Sequence, residues 1–410
     1  MPDGCDACPV NRSARGGRLC SPGYFQHNPS VGEPVHVIDT TLRDGEQAPG
    51  VAFSAPEKAE ISSLLAEAGV PEIEVGTPAM GADEVEAIQS VVRLGLPVQL
   101  TCWARATESD IEAAAACGTS YIHISFPISP LQLELSGKNE EWLFERVERL
   151  VGVALKDFDG VSVGALDGTR TEVDVLCAFG ETAARAGARR LRIADTVGIG
   201  GFSEIQHLFQ RLTAAIPNLP IEFHGHNDLG LATANTLAAV EGGAAAVSVT
   251  VNGLGERAGN AALEEVVIAL KVLHGIETSI DVSKLQSLCH KVAEFSRRPI
   301  SESKPIVGRD VFAHESGIHV AALIKNPYAF QPFLPADVGG SNTRFVVGKH
   351  TGSAALRHVL EQRGIVVDMD TIRKLVPYVR RAAEEKKGEV SAEELEQLYR
   401  VAQERHFADP

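Results

Sequence analysis

Between Val35 and His274 one pattern recurs eight times: a short apolar run rich in β-branched residues, then an amphipathic stretch. The runs are Val35–Asp39, Glu72–Gly76, Val98–Trp103, Tyr121–Phe126, Val161–Ala165, Leu191–Ala194, Ile221–Phe223 and Ala246–Val251. Runs this short and apolar suit strands covered on both faces. Between them lie stretches such as Pro56–Ala68, Asp83–Leu94, Glu140–Asp157, Val173–Ala186 and Gly230–Glu241, and Gly69, Gly118 and Gly187 stand where helices stop. A repeat of about 30 residues holds one strand, one helix and their turns. Eight repeats predict an α/β protein, a (β/α)8 TIM barrel of about 240 residues. A doubly wound open sheet has no reason to stop at eight units.

Polar residues follow many of the runs. Asp44 comes after the first, Glu74 lies in the second, Asp195-Thr196 end the sixth, His224 and His226 end the seventh, and Asn252 follows the eighth. In a barrel these ends share one rim, where catalytic loops sit. Beyond His274 the pattern changes. Helical periodicity returns at Lys284–Arg297, Ser353–Arg363, Thr371–Glu385 and Ala392–Glu404, around an irregular Pro- and Gly-rich stretch from Arg298 to about Gly348. The expected organisation is a disordered tail over residues 1–32, a catalytic barrel over 33–275, a linker or lid over 276–345 and a helical C-terminal subdomain over 346–410. The barrel is thus followed by smaller helical subdomains.

A formal charge of −16 argues against nucleic acid or an anionic membrane surface as partner. No apolar run approaches the roughly 20 residues of a membrane span, and the N-terminus lacks a basic-then-apolar leader pattern. A cytoplasmic protein is expected. Cys102, Cys117, Cys177 and Cys289 stand singly in apolar stretches and read as small buried hydrophobes. Cys5, Cys8, Cys20 and His27 offer zinc donors at a spacing that matches no common finger, so a reduced tail is expected there.

The chemistry concentrates in a few runs. Leu42-Arg43-Asp44-Gly45-Glu46-Gln47 and His224-Gly225-His226-Asn227-Asp228 supply one carboxylate and two imidazoles at strand ends. Side-chain alternation puts both rings of His-x-His on one face. Nitrogen and oxygen donors without thiolate suit Mg²⁺, Mn²⁺ or Zn²⁺. The turn Asn252–Asn260 is glycine-rich; Gly253 and Gly255 are expected to let backbone N–H groups approach a phosphate or thioester, and Asn260 to offer a neutral oxygen to the metal. His314 and His319 fall in the irregular stretch, where two loop histidines suit acid–base work or a surface role. Lys349-His350 either reaches a ligand or caps the following helix.

Taken together, Asp39–Gln47, His224–Asp228, Asn252–Asn260, His314–His319 and Gly348–Gly352, in that order, resemble the metal-dependent acyl-CoA Claisen synthases that include 2-isopropylmalate, citramalate and homocitrate synthases. The resemblance covers about residues 33–365. It is nearest to the homocitrate synthases associated with nitrogen fixation, through Ala194–Gly198, Leu231–Val240 and His274-Gly275-Ile276. It implies condensation of acetyl-CoA with 2-oxoglutarate, a divalent metal on Asp44, His224 and His226, and a homodimer whose subunits share active sites. It also implies that Arg43 offsets charge on the keto oxygen, Thr196 binds the carboxylate, Gln47 supports this shell, and His319 with Glu74 nearby acts as base. The leucine-pathway enzymes carry a C-terminal regulatory module that is not seen here, so direct leucine feedback is not expected.

Three positions depart from the family pattern. The family's tyrosine beyond the catalytic histidine falls on Phe330, with Tyr328 two residues earlier. Ser162 stands where leucine-pathway enzymes carry Glu and lysine-pathway homocitrate synthases carry Arg. Ser129-Pro130-Leu131 and Leu135-Ser136-Gly137 replace a His- and Lys-bearing run after the fourth strand. The rival readings are the same condensation on another 2-oxo acid (2-isopropylmalate, citramalate or phosphonomethylmalate synthase) and an acyl-CoA lyase. Lyases of this kind use a cysteine in the turn after the eighth strand, and residues 252–260 contain none.

Overall fold

Charged residues alternate with apolar ones in three of the short strands, Glu72-Ile73-Glu74, Arg190-Leu191-Arg192 and Glu222-Phe223-His224. The computed structural model, which describes residues 34–404, shows why. Strands β1 (His36–Asp39), β2 (Glu72–Gly76), β3 (Gln99–Arg105), β4 (Tyr121–Pro127), β5 (Gly160–Leu166), β6 (Arg190–Asp195), β7 (Ile221–Gly225) and β8 (Ala246–Val249) close a parallel barrel in sequence order. The ring is sealed by β1 on β8, in the register His36↔Ala246 to Asp39↔Val249. Apolar members such as Ile73, Leu191 and Phe223 pack outward against the helices with no exposed surface. The charged members point into the barrel, where each finds a partner.

Those partners form one chain along the interior. Glu72 takes His36 Nε2 at 2.8 Å and both Nη atoms of Arg190 at 2.7 and 2.8 Å. Arg190 Nε reaches Glu222 Oε2 at 2.7 Å, Glu222 is shared with Arg192 and Ser248, and Arg192 Nη2 donates to Glu74 Oε2 at 2.7 Å. Glu74 then holds Arg43, whose Nη1 lies 3.5 Å from Asp44 Oδ1. Every carboxylate in this sequence faces a guanidinium, so no buried charge stands alone. Such a network adds little net stability, but removing one member leaves a neighbour's charge uncompensated.

Helices form where the amphipathic stretches predict them, with further ones at Glu108–Ala115 and Phe202–Ala215. After β4 a short helix, Pro130–Leu135, begins where Ser129 Oγ accepts Gln132 N–H at 3.2 Å, with proline in its first turn. Gly137, at φ 64°, ends it: Gly137 N–H donates to Glu134 O and Lys138 N–H to Leu133 O, the pairing of a glycine-terminated helix. Asn139 then caps the helix Glu140–Ala154 by accepting Trp142 N–H at 2.9 Å. Lys138 is therefore held between two capped helices.

Past the barrel, Leu285–Ser296, Ser353–Gln362, Met369–Lys386 and Ala392–Glu404 are helical. The last three bury Leu356, Leu360, Ile372, Leu375, Val379 and Leu395 in a second, smaller core. Lys304 ties the irregular stretch to the barrel through Glu264 at 2.9 Å and Glu265 at 2.7 Å. That stretch is more ordered than its composition predicts. His319 sits not in a loop but on a helix, Gly317–Leu323, whose first residue abuts Gly352 so closely that a Cβ on Gly317 would lie 2.7 Å from the Gly352 Cα. No helix of the described residues is long and apolar enough to cross a membrane. The tail over residues 1–32, with Cys5, Cys8, Cys20 and His27, lies outside the described residues.

Candidate active site

At the C-terminal rim, Asp44 leaves the turn after β1 while His224 and His226 leave the end of β7. Asp44 Oδ2 is 2.9 Å from His224 Nε2 and 3.7 Å from His226 Nε2, and the two nitrogens are 3.3 Å apart. These donor atoms, all within 4.8 Å of one another, come from residues separated by up to 182 positions in the chain. All three residues are buried. Burial alone would raise the Asp44 carboxyl, but Arg43 and then His224 and His226 outweigh it and hold it well below the usual carboxylate range. Burial, with the neighbouring His224, pushes His226 down to about 4. His226 is thus a neutral lone-pair donor near neutral pH. One anionic oxygen and imidazole nitrogens converging in a buried spot fit a divalent cation.

Asn260 belongs to the same corner. It bridges backbone to His226 and is 3% exposed; its Nδ2 donates to Leu254 O at 2.9 Å, while its Oδ1 is buried without a partner. The glycines of this turn pack around Asn260. Gly253 donates its N–H to Thr250 O, a Cβ on Gly255 would collide with the Asn260 amide, and neither residue lines the cavity. The two positions at which the acetyl-CoA contact is expected thus lie off the wall of this cavity.

The donor triad lines a cavity of about 590 Å³ together with Arg43, Gln47 and Thr196. Thr196 Oγ1 accepts the Asp167 N–H at 2.8 Å, which leaves its own proton to donate. Asp195, its neighbour, turns away to accept the N–H groups of Ile199 and Gly200 and the Thr169 hydroxyl. Glu74 is not on the cavity wall. Both its oxygens are occupied by Arg43 and Arg192, and despite burial those two arginines lower its pKa. A carboxylate held in this way positions Arg43, and its paired oxygens do not favour the proton-accepting role expected of Glu74. His319 does not line this chain's cavity either. Its ring stacks on Phe330 at 3.9 Å and lies 6.4 Å from His314, so Phe330, not Tyr328, is the aromatic partner there.

Ser162 lies beneath the cavity, buried, with its Oγ 2.8 Å from His123 Nδ1. At cavity height β5 presents Gly164, where a Cβ would lie 2.5 Å from His123 Nε2. Burial, then the charges of Arg192 and Arg43, keep His123 neutral. Sequence reasoning also missed Trp103, Arg105, Lys138, Trp142, Arg192 and Arg257, all on the cavity wall. One signal was available: the chain has two tryptophans, Trp103 closing a strand-like run and Trp142 opening an amphipathic stretch, and both line this cavity.

The HMGL-like family profile matches residues 34–292, and the profile described as homocitrate synthase post-HMGL domain-like matches residues 306–387. Among curated relatives, "2-isopropylmalate synthase 2" of Caldanaerobacter subterraneus subsp. tengcongensis is 43% identical over 90% of this chain and 95% of its own length. The homocitrate synthase of Frankia alni is 44% identical over 80% of this chain and 94% of its own. The 2-phosphonomethylmalate synthase of Streptomyces rubellomurinus is 41% identical over 89% and 97%. Among solved structures, the HMG-CoA lyase of Bacillus subtilis superposes with a TM-score of 0.60 at 20% identity, covering 65% of this chain and 95% of that one, a likeness of fold.

Proposed function

The chain belongs to the HMGL-like family, within the group of 2-isopropylmalate, homocitrate and citramalate synthases, and from that premise we propose that it converts acetyl-CoA, 2-oxoglutarate and water to homocitrate and CoA. The observation that carries this reading is the meeting of Asp44, His224 and His226 with Arg43 and Thr196 in one cavity. Homocitrate synthases at 41% and 44% identity support the acceptor.

A divalent cation, Mg²⁺, Mn²⁺ or Zn²⁺, held by Asp44, His224, His226 and Asn260, would supply Lewis acidity at the keto oxygen and fix the acid's orientation. Thr196 donates its free O–H to the acid's carboxylate, with Gln47 beside it. His319 of the partner subunit takes a proton from the acetyl methyl group. The electron pair left on that carbon forms the new bond to the keto carbon, and Arg43 offsets the charge gathering on the keto oxygen before it is protonated. Water then adds to the thioester, leaving a carboxylate and free CoA thiol.

The homodimer is part of this reading, because His319 lies outside its own chain's cavity. Ile318, 78% exposed, with Ile324 and Phe330 also exposed, surrounds His319 with apolar surface that a second copy would cover. A cytoplasmic location goes with this reading. The test is thiol release from acetyl-CoA against 2-oxoglutarate, 2-oxoisovalerate, pyruvate and phosphonopyruvate. The highest kcat/KM is expected for 2-oxoglutarate. Preference for another acid would replace the acceptor and leave the reaction type standing.

A further inference from the structure

Five cationic side chains line the cavity: Arg43, Arg105, Lys138, Arg192 and Arg257. Four are neutralised within the protein. Arg43 and Arg192 share Glu74, Arg105 pairs with Asp110 at 2.8 Å, and Arg257 pairs with Asp228 at 2.8 Å. Among the described residues Lys138 makes no ion pair, and its ammonium rests 5.3 Å from the centre of the Trp142 ring. An aromatic face stabilises a cation without cancelling its charge. Lys138 therefore brings a positive charge without an anionic partner to the cavity, from the loop after β4.

Its position matters as much as its charge. In the closed barrel β4 is three strands from β1 and three from β7, so Lys138 stands across the mouth from Asp44, His224 and His226. A 2-oxo acid held at that corner by its keto and carboxylate oxygens, with Thr196 of the β6 end, directs the rest of its chain over the mouth. Between the two sides the wall offers Ser125 and Gly164, small groups that leave a path open. The backbone at Lys138 is fixed by the glycine-terminated helix before it and the Asn139 cap after it, which lowers the entropy lost on binding.

We propose that Lys138 is the specificity-determining residue for the acceptor and binds an anionic group at the far end of the 2-oxo acid. The inference rests on the site being that of a 2-oxo-acid condensing enzyme and deepens that reading. It gives the far anion a partner from the segment after β4, at a site where β5 supplies only the uncharged Gly164 and Leu166. A carboxylate or a phosphonate would serve equally as the ligand's far end; an apolar end would leave the ammonium with nothing to pair.

The test compares Lys138→Met and Lys138→Arg with the unaltered full-length protein, metal-loaded. Initial rates are measured with 2-oxoglutarate, phosphonopyruvate and 2-oxobutyrate, and binding of each acid is followed by the fluorescence of Trp103 and Trp142. Removing a charge-assisted hydrogen bond at a solvent-reachable site weakens affinity by about ten- to hundred-fold. The expected result is a KM and dissociation constant raised by about that factor for the doubly anionic acids in Lys138→Met, with kcat changed far less. The effect for 2-oxobutyrate should stay under about threefold, and Lys138→Arg should recover most of the affinity. Equal losses for all three acids, or no loss for the anionic ones, would overturn the proposal. A protein that rejects 2-oxoglutarate yet uses phosphonopyruvate in a Lys138-dependent way would end the homocitrate reading while supporting Lys138.

Discussion

Arg43 and Glu74, 31 residues apart in the chain, meet inside the barrel with Arg43 Nε donating to Glu74 Oε1. The other Glu74 oxygen is held by Arg192, so the guanidinium that faces the cavity is anchored from below by a carboxylate with no freedom to move. Trp103 lies against its other side, 5.5 Å from ring centre to Cζ. Arg43 is presented rigidly beside Asp44, where charge on a reacting oxygen would gather.

Glu74→Gln should therefore act through Arg43. The variant leaves two buried guanidiniums short of a carboxylate, a loss of about 3 kcal/mol in stability. Catalysis should fall by about a hundredfold in kcat, with KM for the 2-oxo acid changing much less. Metal content, read by elemental analysis, should stay at the unaltered level, because no donor atom has been touched. A fall in metal content equal to the fall in rate would move Glu74 out of this role.

Gly255→Ala tests whether the glycine turn exists for Asn260. A methyl group there meets the Asn260 amide, displacing the side chain whose oxygen is free and buried. Affinity for a divalent cation should weaken by about tenfold, the usual scale for disturbing a supporting contact. Equilibrium titration with Mn²⁺ gives the number, and an unchanged constant would detach Asn260 from the cation.

Asp39 offers a pH signature away from the cavity. Burial is the main cause that lifts its pKa to about 7, against hydrogen bonds from Thr41 and with help from Glu264 and Glu74. A carboxyl raised on folding binds a proton as the chain folds, so its favourable contribution is present at low pH and is lost as pH climbs through the interval from the ordinary value to about 7. The loss levels off above that, at no more than about 4 kcal/mol. Asp39→Asn should gain stability relative to the parent between pH 5 and pH 7 and keep a constant lead at higher pH. Urea melts at a series of pH values would show it; parallel curves throughout would contradict it.

Sharing of sites between subunits predicts complementation. His319→Ala and Asp44→Asn, each inactive alone, should regain activity when mixed and allowed to exchange subunits. Half of the dimers are then mixed, and one of their two sites is intact, so about a quarter of full activity is expected. No recovery after proven exchange would place His319 outside the partner's site.

The barrel was legible because its signal repeats: eight apolar runs, each bounded by turns, read the same way each time. Strand ends came within about three residues of expectation, the usual boundary error. The donor triad was legible for a different reason, since His224-Gly225-His226 and Arg43-Asp44 are short runs whose chemistry survives without context. The interior chain from Glu72 to Arg43 was not read. Its members are spread over β2, β6, β7 and the turn after β1, and only closure of the barrel brings them into reach. Lys138 was hidden in the same way, as its significance depends on which other cations already have partners. The helix carrying His319 was concealed by composition, because its start rests on the Gly317 contact with Gly352 and not on local helix propensity.

The central claim is that Asp44, His224 and His226 together hold one divalent cation that the reaction requires. The most direct measurement is metal stoichiometry and thiol-release rate on the same chelated, then reloaded, preparations of the parent and of Asp44→Ala and His226→Ala. One ion per chain with activity restored in step is predicted for the parent, and neither ion nor activity for the two variants. Full turnover in a parent preparation shown to be metal-free, or an unchanged ion count in both variants, would contradict the account.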